Sequence, residues 1–303
     1  MATTATTPEE QLAWEARQRP RAGIAAIVGA VLGLASTIAT TTTFSKAPSA
    51  TFLRSLQSAV REGPIGSAPS QRTAFLQYYS DHQTIVIAAA AAQALGYIAI
   101  AWTLTFLAAA VRARRDEFPR VAVYFGLVGA VLQAVAVVLA TAGTVSAVNT
   151  FLDGPRTVDA AHEITSGSLL VTSSVIQLAA ALALAAGFIL TSLNAMRVGL
   201  LTRFMGVLGI VAGALVVIPL GPFPPVVQAF WLLTLGFLLL GFGRAGLPPA
   251  WRTGRAEPWP SPPPRAARGG GGRVAPAGPD AQPRTAAPVE RPGEARRKRK
   301  RRT

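Results

Sequence analysis

Cysteine is missing from all 303 residues, which excludes a disulfide framework, a thiolate nucleophile and any cysteine-ligated metal site. Charge is scarce as well: 14% of residues are ionisable, against about 25% in an ordinary soluble domain. Histidine occurs twice, so a multi-histidine metal site has few ligands to draw on. Six long stretches contain no Asp, Glu, Lys, Arg or His, and catalytic signatures are also missing. There is no phosphate-binding glycine loop ending in Lys-Ser or Lys-Thr, no Gly-x-Ser-x-Gly elbow and no His-Glu-x-x-His. Proton or ion relays within a membrane use buried ionisable groups. A chain whose apolar runs lack them is a poor candidate for ion-coupled transport.

What is present is apolar surface, half of all residues, arranged in those six stretches. They run from Ala22 to Thr42, Thr84 to Val111, Val121 to Ala147, Ser168 to Leu193, Phe204 to Leu220 and Val226 to Gly243. Crossing a hydrocarbon layer of about 30 Å takes about 20 helical residues, and backbone amides in lipid must be satisfied within their own element. The expected fold is therefore all-α, a polytopic membrane bundle of six transmembrane helices. Residues 1–21 are expected to form a cytoplasmic N-terminal segment, 22–243 the membrane domain and 244–303 a disordered basic tail. The Gly221-Pro222-Phe223-Pro224-Pro225 turn makes spans five and six a hairpin, with a re-entrant pair as the alternative. The first span is too long for a signal-peptide core and follows Glu9, Glu10 and Glu15, so it is read as a retained helix.

Of the 29 Lys and Arg residues, 15 follow Gly243. With the N-terminus inside, 24 basic residues are cytoplasmic and 5 lie outside; without the tail the balance is 9 to 5. Both termini are thus expected in the cytoplasm of a bacterial cell. Between Arg244 and Thr303, 20 of 60 residues are Pro or Gly, too many for a packed core. The tail ends in Arg296, Arg297, Lys298, Arg299, Lys300, Arg301 and Arg302, a cluster suited to anionic lipid headgroups at about 1 kcal/mol per residue. The lipid bilayer is the expected partner and nucleic acid is disfavoured. Trp251 and Trp259 are expected along the inner interface.

Gln93, Gln133 and Gln177 lie about 14 Å below the outer ends of spans two, three and four by helical rise. Amides at that depth seek partners, so the three are expected to face inward and to hydrogen-bond across helices, as structural glue or as a polar substrate path. Gly29 with Gly33 and Gly209 with Gly213 suit close helix packing within one chain, with a homo-oligomer seam as the alternative. In the first outer loop, Phe52, Leu53, Leu56 and Val60, then Phe75, Leu76, Tyr78 and Tyr79, form stripes suited to the leaflet surface or to the bundle. On the outer face, His82 and His162, with Asp159 and Glu163, are metal or acid–base candidates, although their spacing matches no recognised motif. The alternative makes Asp159 and Glu163 helix-start residues. No cofactor is expected.

The stretch LNAMRVGLLTRFMGVLGIVAGALVVIPLGP, the later LPPAWRTGRAEPWP and the span ALGYIAIAWTLTFLAAAVRARRDEFPR resemble uncharacterised multi-pass membrane proteins of high-GC bacterial genomes. That resemblance implies a multi-pass membrane fold and brings no catalytic or ligand residues. Composition and resemblance together favour a non-enzymatic membrane protein with a scaffolding, regulatory or envelope role. A small-molecule permease using the glutamines is the alternative, and an outer-face hydrolase the second.

Overall fold

A computed structural model describes residues 7–47, 71–154, 167–218, 223–242 and 247–257. Among these residues there are eight helices and no strand. They are α1 (Pro8–Phe44), α2 (Gln71–Asp81), α3 (Gln83–Arg112), α4 (Arg120–Asp153), α5 (Ser168–Arg197), α6 (Arg203–Val217), α7 (Phe223–Leu240) and α8 (Pro249–Thr253). The Phe52 to Val60 stripe, His162, Asp159, Glu163, Trp259 and the basic cluster Arg296 to Arg302 lie outside the described residues.

Four helices, α1, α3, α4 and α5, are long and apolar enough to cross a membrane. The chain is therefore an all-helical protein with a membrane-type bundle. The fifth and sixth apolar stretches depart from expectation: α6 has 15 residues and α7 has 18, about 22 and 27 Å of helix. Both fall short of the 30 Å layer. At its other extreme, α1 runs 37 residues and includes most of the segment expected to precede the first span. Thr7 and Glu10 close a reciprocal capping box that starts it, and Pro20 is accommodated inside it.

Packing follows chain order. Each of α1, α3, α4, α5, α6 and α7 contacts the next, and α7 returns to α1, so the six form a ring; α3 also touches α5 across it. Small residues make the contacts. A Cβ on Gly29 would lie 3.2 Å from the carbonyl oxygen of Gly96, and one on Gly187 would land on the backbone of Gly126. Gly213 packs on Phe188 and Gly209 on Ser192 and Trp231, so Gly29, Gly209 and Gly213 serve crossings within the chain, whereas a Cβ on Gly33 would meet open space. Large apolar side chains point the other way: Val31, Trp102, Tyr124, Val138, Val175 and Phe230 are all exposed, while Ala22, Ala26, Ala30, Ala101, Ala122 and Ala130 are buried. Small residues at the crossings, a core that also buries Trp231, Phe188, Leu104 and Leu184, and an apolar outer surface fit helices associating in lipid, where packing rather than hydrophobicity drives contact.

The two ends of the ring differ. At the end that carries the starts of α1 and α4, here called basal, α8 folds onto the bundle. At the opposite end α2 rests on α4 and α3, and Leu76 and Tyr79 pack with Val86, Val148 and Phe151. Phe75 stacks on Phe44, and the Tyr78 hydroxyl donates to the Thr43 carbonyl at 2.7 Å. The second loop stripe thus lies on the bundle. Burial of Tyr79 pushes its phenol pKa up.

Candidate ligand cleft

The short length of α6 and α7 creates the cleft. Gly213 on α6 packs beside Ala185 and Phe188 of α5, so α6 ends about level with Ala181, while α5 continues outward to Ser168. On the other flank Gly236 of α7 meets Gly23 of α1, which sets the start of α7 near Ser36, and α1 continues to Phe44. The ring closes only over its basal part. Where it opens, α3, α4, α5, α6 and α7 surround a cleft of about 370 Å³, within the roughly 300–1,000 Å³ typical of small-molecule sites.

Its lining mixes amides with apolar walls. Gln133 from α4, Gln177 and Ser174 from α5, Gln228 from α7 and Tyr97 from α3 line it together with Leu178, Leu184, Leu215 and Pro225. Gln133 is only 4% exposed, and its Oε1 has no hydrogen-bond partner. The Nε2 of Gln228 is likewise buried and unpartnered. Ser174 is turned back on its own helix, donating to the Leu170 carbonyl at 2.9 Å. An unmet amide inside a bundle costs about 1–3 kcal/mol, so these two atoms mark a place that a bound molecule would stabilise.

Of the three glutamines singled out from the sequence, Gln133 and Gln177 share this cleft. Gln93 lines a smaller adjoining gap of about 60 Å³ between α1, α3 and α7, next to Tyr97 and Gln228. It makes the interhelical bond expected of all three: its Oε1 accepts from Ser36 Oγ at 2.8 Å, and its Nε2 reaches the Tyr97 hydroxyl at 3.4 Å. Gln133 and Gln177 form no such bond to each other. Gln228 was not among the sequence candidates: it sits near the start of α7, where helical rise alone gives it little depth, but α7 itself begins deep in the ring. Its sequence signal is an amide three residues after the last proline of the Pro-rich turn.

Of the histidine candidates, His82 lies apart from this site and His162 lies outside the described residues. The ring of His82 stacks on Tyr78 with centroids 4.1 Å apart, and its Nδ1 lies 2.9 Å from the Tyr78 carbonyl oxygen. Among the described residues no group of three or more His, Asp or Glu side chains is placed to hold a metal.

At the basal end the bundle is sealed. Arg114 is fully buried, and Glu15 beside it is 2% exposed. All five guanidinium N–H groups are used: Nη1 donates to Glu15 and to the Ala110 carbonyl, Nη2 to Glu15 at 2.8 Å and to the Ala250 carbonyl, and Nε also to Ala250. Its plane lies 5.4 Å from the ring of Trp251, which stacks on Phe106 and donates from Nε1 to the Leu200 carbonyl at 3.0 Å. Trp251, expected at the headgroup layer, is instead in the core at 4% exposure. The α8 helix holds it there, ending at Gly254 with a positive φ of 70°.

No family model matches the chain, and comparison with curated proteins and with solved structures likewise finds no match.

Proposed function

We propose that this chain is a six-span protein of the bacterial inner membrane, basal end in the cytoplasm, that binds a small molecule in the outer half of its helical ring and is not an enzyme. The observation that carries this reading is the buried, unpartnered Oε1 of Gln133, a residue that lines a cleft of about 370 Å³. Structural glue would be expected to satisfy its own amides, as Gln93 does with Ser36. The six-span count rests on the ring: α6 and α7 run alongside α5 and α1, and bilayers accommodate short helices by local thinning. Orientation rests on the basic residues, since Arg112, Arg114, Arg115, Arg120, Arg197 and Arg203 flank the basal ends of helices. In this orientation the polybasic C-terminal cluster meets the anionic inner leaflet.

Two experiments test the reading. Native mass spectrometry of the full chain in mild detergent is expected to show a retained small-molecule adduct that Gln133→Leu removes. Each protein appearing only at its own unliganded mass would overturn ligand binding. Because the chain has no cysteine, Ser45→Cys and Thr253→Cys each introduce one thiol. A membrane-impermeant maleimide is expected to label the first in intact cells and the second only after permeabilisation; the reverse pattern would invert the topology. A second reading, a permease, is favoured by a cleft that reaches mid-depth and closes basally. Solute uptake by proteoliposomes that is lost with Gln133→Leu would select it.

A further inference from the structure

The inference rests on the ligand-binding reading and assigns the class of ligand. We propose that the cleft takes an uncharged molecule whose polar head offers both a hydrogen-bond donor and an acceptor, as a hydroxyl or amide does, attached to an apolar body.

Three observations converge on that class. First, among the described residues no Asp, Glu, Lys, Arg or His lines the cleft or the adjoining gap. A charged ligand would give up its hydration there without a counter-charge, a cost of several kcal/mol that neutral molecules escape. Second, the unmet groups are of opposite kind and stand on different helices. Gln133 Oε1 on α4 lacks a donor, and Gln228 Nε2 on α7 lacks an acceptor. The Tyr97 hydroxyl, which receives the Gln93 amide, keeps its own proton for an acceptor in the cleft. A head that only donates or only accepts would leave one side unsatisfied. Third, the rest of the wall is apolar, supplied by Leu178, Ala181, Leu184, Leu215 and Val216. Beyond the end of α6, the outward stretch of α5 exposes Val171 and Val175, the latter at 64%. This unpartnered flank gives an apolar body a path from the outer leaflet, while the mouth also admits a solute from the outer aqueous phase. The adjoining gap of about 60 Å³ has room for about two waters at roughly 30 Å³ each, which would complete the amide network.

The test uses the full chain in nanodiscs of phosphatidylethanolamine and phosphatidylglycerol with three diazirine probes. These are a diacylglycerol (neutral hydroxyl head), a phosphatidic acid with the same acyl chains (anionic head) and an N-acetyl sugar (neutral, water-soluble). Crosslinked peptides are mapped by mass spectrometry. The peptides bearing Gln133 and Gln177 are expected to be labelled by a neutral probe about five-fold more than by phosphatidic acid. Gln133→Leu and Gln228→Leu should each reduce that labelling about five-fold, the equivalent of one hydrogen bond. Labelling of the lipid-facing α1 segment around Val31 should not change. Capture of diacylglycerol alone makes the outer leaflet the source, and capture of the sugar alone makes it the aqueous phase. Phosphatidic acid labelling the cleft equally, with the same Gln133 dependence, would overturn the neutral class and leave ligand binding standing. No labelling above the α1 background, together with no Gln133-dependent adduct in native mass spectrometry, would mean a water-filled cleft and overturn both.

Discussion

The Arg114 cluster at the basal end and the amide cluster at the opposite end bury their polar groups in opposite ways. In the basal half every donor of Arg114 has an acceptor, Glu15 and Trp251 complete the seal, and glycine crossings bring backbones into contact. In the outer half α6 and α7 stop early, the ring opens, and amides on α4 and α7 are left without partners. The difference teaches that room, and not an unmet group alone, sets the two clusters apart: Gln18, Arg19 and Ser192 near the basal end also carry buried unpartnered atoms, but Gln133 and Gln228 line a cleft large enough for a bound molecule. Basal substitutions should therefore cost stability, and cleft substitutions should cost binding.

The largest effect is expected from Gly187→Leu, because any Cβ there collides with the Gly126 backbone rather than with a movable side chain. No monodisperse folded protein should survive size-exclusion chromatography in detergent. Next, Arg114→Leu strands a buried carboxylate and should lower unfolding free energy by about 3–5 kcal/mol, with the double variant Glu15→Leu/Arg114→Leu recovering most of it. Thermal unfolding of the three proteins checks this, and no recovery in the double variant would show that the pair does more than neutralise itself. Trp251→Phe removes the bond to Leu200 and leaves a void, a loss of about 1–3 kcal/mol by the same assay. Gln93→Leu breaks the bond to Ser36 and should cost about 0.6 kcal/mol, the usual size of an interhelical bond in lipid. Smallest, and opposite in sign, Gln133→Leu should leave the empty protein as stable or raise it by up to about 0.5 kcal/mol, since it deletes an unmet amide. A loss as large as that of Gln93→Leu would erase the contrast between the halves.

Much of the architecture could be read from residue order. The uncharged runs place α3 within one residue at each end, and α5 at its start, because the lipid constraint leaves helix as the one solution for an isolated apolar segment. Helix ends outside lipid follow other rules and were harder to place. The Thr7 and Glu10 pattern marks the true start of α1, 14 residues before the apolar run. The pairing of Glu15 with Arg114 joins residues 99 apart, and nothing local distinguishes Arg114 from Arg112 or Arg115. For the cleft, Gln133 and Gln177 were identifiable as amides in apolar runs, but their shared wall with Gln228 depends on how deep α7 begins. That depth is set by the α1 and α7 crossing at Gly23 and Gly236.

The latch on Arg114 also imposes an order on biogenesis. The ribosome delivers Glu15 first, Arg114 about a hundred residues later and Trp251 well over a hundred after that, and at roughly 5–20 residues per second these gaps last many seconds. The nascent chain can thus thread its helices into the bilayer while the carboxylate and guanidinium remain hydrated at the membrane surface. Among the described helices α8 is made last, and its Ala250 carbonyl and Trp251 ring complete the enclosure of Arg114.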